Sequence, residues 1–159
     1  MAKKEKGATA KDAHILLELY RLRCEPTMRK ARAFMTGEFW PQSYEEFRAL
    51  LFDFGAEHNA WARQVFTYWD MACAMVLSGA VNEELFVEVN GEPFFIYAKY
   101  KNFLPQFRKE FIDPEFATRI EKLVNKSVKA KERVKRNEAF FKARAAKAAA
   151  AAAAAKSAS

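Results

Sequence analysis

An all-α fold is what this chain predicts: four or five helices in a bundle, followed by a long, basic, Ala-rich C-terminal helix or disordered tail. Three observations carry the prediction. Apolar residues recur at alternating spacings of three and four, as in helices with one buried face. Only five Gly and five Pro occur in 159 residues, too few for a turn-rich all-β design. Fifteen Phe and three Trp supply the bulk of a helical core.

The first stripe is Leu17, Tyr20, Cys24, Met28, Ala31 and Met35, which predicts a helix over 12–36. Pro26 removes a backbone donor inside it, but the stripe keeps its phase, so one bent helix is expected rather than two. After Phe39-Trp40-Pro41, Ser43 and Glu46 form a capping box for a second helix with the stripe Tyr44, Phe47, Leu51, Phe54 and His58. A third helix over 59–77 is apolar nearly all round, with Thr67 and Asp70 as the clear exceptions after Val65, and should be the central element.

Residues 82–98 send two signals. Asn82 before Glu83 and Glu84 caps a helix, whereas Phe86-Val-Glu-Val89 followed by Asn90-Gly91 signals a hairpin with Phe94-Phe-Ile-Tyr97 returning. Helix and hairpin both stay open, Pro93 counting against the return strand. Ile96, Tyr100, Phe103, Phe107 and Phe111 then predict a fourth long helix bent at Pro105. Asp113-Pro114-Glu115 should start the last one. Its stripe of Phe116, Ile120 and Leu123 fades into Ser127, Ala130, Val134 and Asn137, so it is expected to leave the bundle near 128–134. The resulting organisation is a disordered head at 1–11, a bundle domain at 12–125 and a basic extension at 126–159.

Charge follows that division. Residues 126–159 hold ten Lys or Arg against Glu132 and Glu138, while residues 1–125 hold 17 basic and 18 acidic groups, so the formal +7 belongs to the extension. Lys122, Lys126, Lys129, Arg133 and Arg136 fall at spacings of 4, 3, 4 and 3, a helical stripe of five cations suited to an anionic partner. Nucleic acid is one such partner; a protein partner or self-association is the other expectation.

Catalytic machinery is scarce. His14 and His58 belong to no HExxH or ExxH pair, and no Gly-rich phosphate loop occurs, so no enzyme, metal or cofactor is expected. Asp70 is the unusual residue: a carboxylate on the central helix needs a partner, and Arg21, Arg23 and Arg29 on the first helix are the candidates. Trp40, Tyr44, Trp61, Tyr68 and Trp69 read as core rather than as a base-stacking platform. Cys24 and Cys73 lie outside any CxxC pattern and read as buried, reduced thiols. The longest apolar stretch, 71–81, is too short to span a bilayer, and Lys3, Lys4 and Lys6 lead into no apolar h-region, which together predict a cytoplasmic protein.

Three segments, Leu17-Glu-Leu-Tyr-Arg-Leu-Arg23 running into Met28-Arg-Lys-Ala-Arg32, then Tyr68-Trp-Asp-Met-Ala72, then Gly79-Ala-Val-Asn-Glu-Glu-Leu-Phe86, resemble a family of small helical bacterial proteins classed as a domain of unknown function. The resemblance spans about residues 12–111. It implies a helical fold and a bacterial source, and no activity. The Ala/Lys tail lies outside it and is similar in composition to the basic extensions of some bacterial chromatin proteins.

Overall fold

A computed structural model of the chain describes residues 7–157. Among them are nine α-helices and no strand: α1 (Ala10–Arg23), α2 (Pro26–Ala33), α3 (Tyr44–Phe52), α4 (Glu57–Leu77), α5 (Glu83–Val89), α6 (Glu92–Tyr100), α7 (Leu104–Glu110), α8 (Thr118–Lys126) and α9 (Val128–Ser157). A π-helical turn, Phe34–Glu38, follows α2. The all-α class is as expected, and the count of four or five is corrected to nine. Most of the difference lies at breaks where the apolar phase continues although the backbone does not.

Pro26 is the first break. The residue before a proline is pushed out of the α region, and Glu25 sits at ψ 138°. Its carboxylate caps Met28 N–H while Pro26 takes the first turn of α2. Two helices therefore stand where one bent helix was expected. The stripe is also corrected: Met28, Ala31 and Met35 are buried, but Leu17 (68% exposed), Tyr20 (61%) and Cys24 face solvent. Leu19 is the residue of α1 that enters the core. Cys24 is thus not the buried thiol expected, whereas Cys73 is buried and its thiol pKa is raised by that burial. The head expected at 1–11 falls mainly outside the described residues. Its described end joins α1, which a Thr9–Asp12 capping box starts at Ala10.

α4 is the central helix, as its composition predicted. It packs against α2, α3, α5, α8 and the π-turn, and buries Val65, Phe66, Trp69, Ala72, Cys73 and Val76. It ends at Ser78, where Gly79 at φ 78° supplies the left-handed turn that a residue with a Cβ enters only at a cost. The open choice at 82–98 resolves to helix on both sides. Asn82 caps α5, Asn90-Gly91 turns the chain, and Pro93 is accommodated in the first turn of α6. The expected bent helix through Pro105 is instead α6, a turn at 101–103, and α7 with Pro105 in its first turn.

The tail departs furthest from expectation. Ser127 (φ −95°, ψ 121°) breaks α8 from α9, and its hydroxyl accepts Ala130 N–H as a cap. α9 does not leave the bundle near 128–134: Ser127, Ala130 and Val134 are buried, and the helix lies along α6. Small side chains at 127 and 130 let the two backbones approach, so a stripe weak in hydrophobicity still packs well.

Candidate functional site

The cations of the extension are placed by that packing. Lys126 Nζ pairs with Glu83 at 2.6 Å, Lys129 with Glu88, and Arg133 Nη2 donates to the Glu88 carbonyl at 2.7 Å. Lys122 pairs with Glu115 at 3.3 Å. Four members of the expected five-cation stripe are therefore engaged by carboxylates or carbonyls of the globule, leaving Arg136 as the exposed member with no ion pair among the described residues. Sequence reasoning chose the flank of α9 that lies over α5. Exposed ion pairs of this kind are each worth about 0–1 kcal/mol, so they orient the helix more than they hold it.

A second row of lysines takes the open position. Lys131, Lys135 and Lys142 are exposed, and among the described residues none of them forms an ion pair. Spacings of four and seven put them on one side of α9, about 100° from the inward row of buried Ala130 and Val134 and half-buried Phe141. The signal was present in the sequence. Lys129 and Arg133 on one row and Lys131 and Lys135 on the other are two positions apart, about 200° around the helix, so both rows are cationic at helical spacing and only the buried row tells which flank is free.

α9 is pinned beyond Val134 by an aromatic cluster. Trp40 meets Phe141 and Phe95 edge-on at centroid distances of 5.4 and 6.4 Å. Arg144 lies 4.0 Å from the Trp40 ring centroid, and Lys99 Nζ lies 3.7 Å from it. Lys99 also donates to the carbonyls of Met35 (2.8 Å) and Thr36 (3.3 Å) in the π-turn. Burial, with Arg144 adding repulsion, lowers the Lys99 pKa to about 7. The core reading of the aromatics holds in full for Trp69; Trp40, Tyr44, Trp61 and Tyr68 are half-buried at the edge of the core.

Asp70 has a different partner from the one expected. Its Oδ1 accepts Arg119 N–H at 2.8 Å and Ile120 N–H at 3.2 Å, and its Oδ2 meets Arg119 Nη1 at 3.3 Å. The carboxylate on α4 thus caps α8, whose own N-cap position is held by Ala117, a residue with no capping atom and a left-handed φ of 56°. Arg108 fixes that turn by donating to the carbonyls of Phe116 and Ala117. Burial raises the Asp70 pKa, and the two N–H groups and Arg119 pull against it without cancelling it. The expected helix start at Asp113-Pro114 is corrected accordingly: 113–117 is a turn, and α8 begins at Thr118.

Of the expected Arg partners, Arg21 is exposed beside Glu18, and Arg29 is exposed and donates to the Cys24 carbonyl. Arg23 does find a buried acid, but it is Glu92 (3.5 Å). Arg32 grips the same carboxylate at 2.8 and 2.5 Å, and Trp69 Nε1 donates to it at 3.0 Å. This cluster, not Asp70, ties α1 and α2 to α4 and α6.

Among the described residues no three of His, Cys, Asp and Glu converge as a metal site would require, and no helix is long and apolar enough to cross a membrane. His58 stacks on Phe34 at 4.3 Å and tilts against Trp61. The family model described as domain of unknown function DUF4760 matches residues 8–127, and the chain belongs to that family. The match ends where α9 begins. No curated protein and no solved structure matches the chain.

Proposed function

We propose that this DUF4760 protein acts by binding rather than by catalysis, as a helical interaction module whose α9 engages an anionic partner. The observation that carries the reading is the row Lys131, Lys135 and Lys142, solvent-exposed on a helix of 30 residues and, among the described residues, in no ion pair. A lysine row on a helix about 45 Å long offers spaced point charges over a wide footprint. The bundle supplies a rigid base, and the Trp40 cluster holds α9 in register with it. A bacterial, cytoplasmic setting belongs to the same reading, supported by the resemblance at 17–86 and by two cysteines that share no disulfide.

A nucleic acid is the second reading of the partner, favoured by the linear lysine spacing. Binding of fluorescent duplex DNA and of a poly-glutamate peptide, each between about 50 and 200 mM salt, tests both. Three phosphate contacts give a log–log slope of about −2.7 and a fall of about 40-fold over that range. Lys131, Lys135 and Lys142 changed together to Gln should abolish the interaction. Equal binding by that variant would remove the proposal, and binding of the peptide but not of DNA would remove the nucleic-acid reading.

A further inference from the structure

Two adjoining cavities, about 400 and 170 Å³, lie where the Asn90-Gly91 turn between α5 and α6 faces α9, and they share Gly91 and Asn137. The smaller is walled by Arg133 and Arg136, the larger by Thr36 and Phe95. From this geometry we propose a binding site for a small molecule with an oxyanion head and an apolar, ring-sized body. Both are open clefts rather than closed cavities, and the larger alone has the volume of a small ligand pocket, for which about 300–1,000 Å³ is ordinary.

The polar groups converge without serving the fold. Arg136 has no ion pair or hydrogen bond among the described residues, and the Asn137 amide likewise has none. Arg133 spends Nη2 on the Glu88 carbonyl, while its Nε is buried with no partner. The buried Arg133 Nε and the half-buried Asn137 amide are open donors whose cost a ligand oxygen would relieve, and the exposed Arg136 is free to reach the same oxygen. Arg133 and Arg136 are one turn apart, so both guanidinium groups reach the same small volume, and a planar fork suits carboxylate and phosphate oxygens alike.

Two further features fit the assignment. Gly91 lies under Arg133: a Cβ there would stand 3.3 Å from Nη1, so the bare turn gives the guanidinium its place. Glu92 also lines the larger cavity, but its carboxylate is held by Arg23, Arg32 and Trp69, which leaves the site's net charge positive. Phe95, set edge-on to Phe141 at 4.9 Å, forms the apolar wall. This pocket is separate from the lysine row, which lies on the opposite flank of α9, so the two proposals fail independently.

The test is a two-dimensional amide NMR titration of the full chain with phenyl phosphate, benzoate and benzyl alcohol. Saturable shifts at Gly91, Phe95, Arg136 and Asn137 with either anion, absent with benzyl alcohol, support the site, and the tighter anion identifies the head group. Arg136→Gln, an exposed change that leaves the core intact, should weaken that binding about tenfold or more, and Gly91→Ala should weaken it by displacing Arg133. The proposal is overturned if no shift saturates below about 10 mM, if the shifts centre on Lys131, Lys135 and Lys142, if benzyl alcohol binds as well as the anions, or if Arg136→Gln binds as the parent does.

Discussion

Asp70→Ala should lower stability by about 2–3 kcal/mol. The substitution removes the acceptor for Arg119 N–H at 2.8 Å and Ile120 N–H at 3.2 Å, along with the Arg119 guanidinium contact. Losing an N-cap costs about 1 kcal/mol, and losing hydrogen bonds to a half-buried charge costs about 1.5–3 kcal/mol. The two overlap here, because the capping bonds are the charged ones. α8 cannot recover the loss locally, since Ala117 has no capping side chain and is already in the left-handed region. Asp70→Asn keeps an oxygen for both N–H groups and removes a charge whose burial is unfavourable, so it should cost less than about 1 kcal/mol. For a chain of this length 1 kcal/mol moves Tm by about 2–4 °C, so thermal unfolding followed by circular dichroism should place Ala about 5–10 °C below the parent and Asn within about 3 °C. An Ala variant that melts with the parent, or an Asn variant that falls as far as Ala, refutes the capping role.

Glu92→Ala strands the Arg23 and Arg32 guanidinium groups and Trp69 Nε1 in a site where the Glu92 side chain is only 12% exposed, and should cost about 3–5 kcal/mol in urea unfolding; a loss under about 1 kcal/mol contradicts this. Lys99 titrates near 7 in the fold against an ordinary 10.5, so the folded protein binds fewer protons than the unfolded chain between those values. Its contribution is complete above the unfolded value and is lost as pH falls through 7; urea stability should therefore rise from about pH 7 to 9.5, and the rise should be missing in Lys99→Met. Gly79→Ala meets no atom within 4 Å but must hold φ at 78°, so strain alone should cost about 1 kcal/mol, read as a Tm lower by about 2–4 °C. An unchanged Tm there would mean that the turn relaxes.

The all-α class, the central position of α4, the Ser43 and Asn82 caps and the inward faces of Met28–Ala31–Met35 and Phe116–Ile120–Leu123 were legible in the order of residues, because each rests on contacts three or four positions apart or on a single cap. The breaks were legible only in part. Pro26 announces itself, but whether a proline bends a helix or divides it depends on whether the preceding residue finds a capping role, and the Glu25 carboxylate supplies one. The hairpin signal at Asn90-Gly91 marked a real turn and misjudged what it joins, since a turn reports a reversal and not the structure of its arms.

Tertiary structure alone decided the partners of the charges. Glu92 and Asp70 lie 60 and 49 positions from Arg32 and Arg119, and no local spacing encodes such a pairing. It likewise decided that Leu17 and Tyr20 face water and that a row as weakly apolar as Ser127, Ala130 and Val134 is buried, because burial depends on what lies opposite. The sequence by itself determined that α9 is basic and rich in helix-favouring Ala, while leaving helix and disordered tail both open. Which of its cations are free was set by α5 and α6 lying against one flank, for an electrostatic site consists of the charges that the fold leaves unanswered.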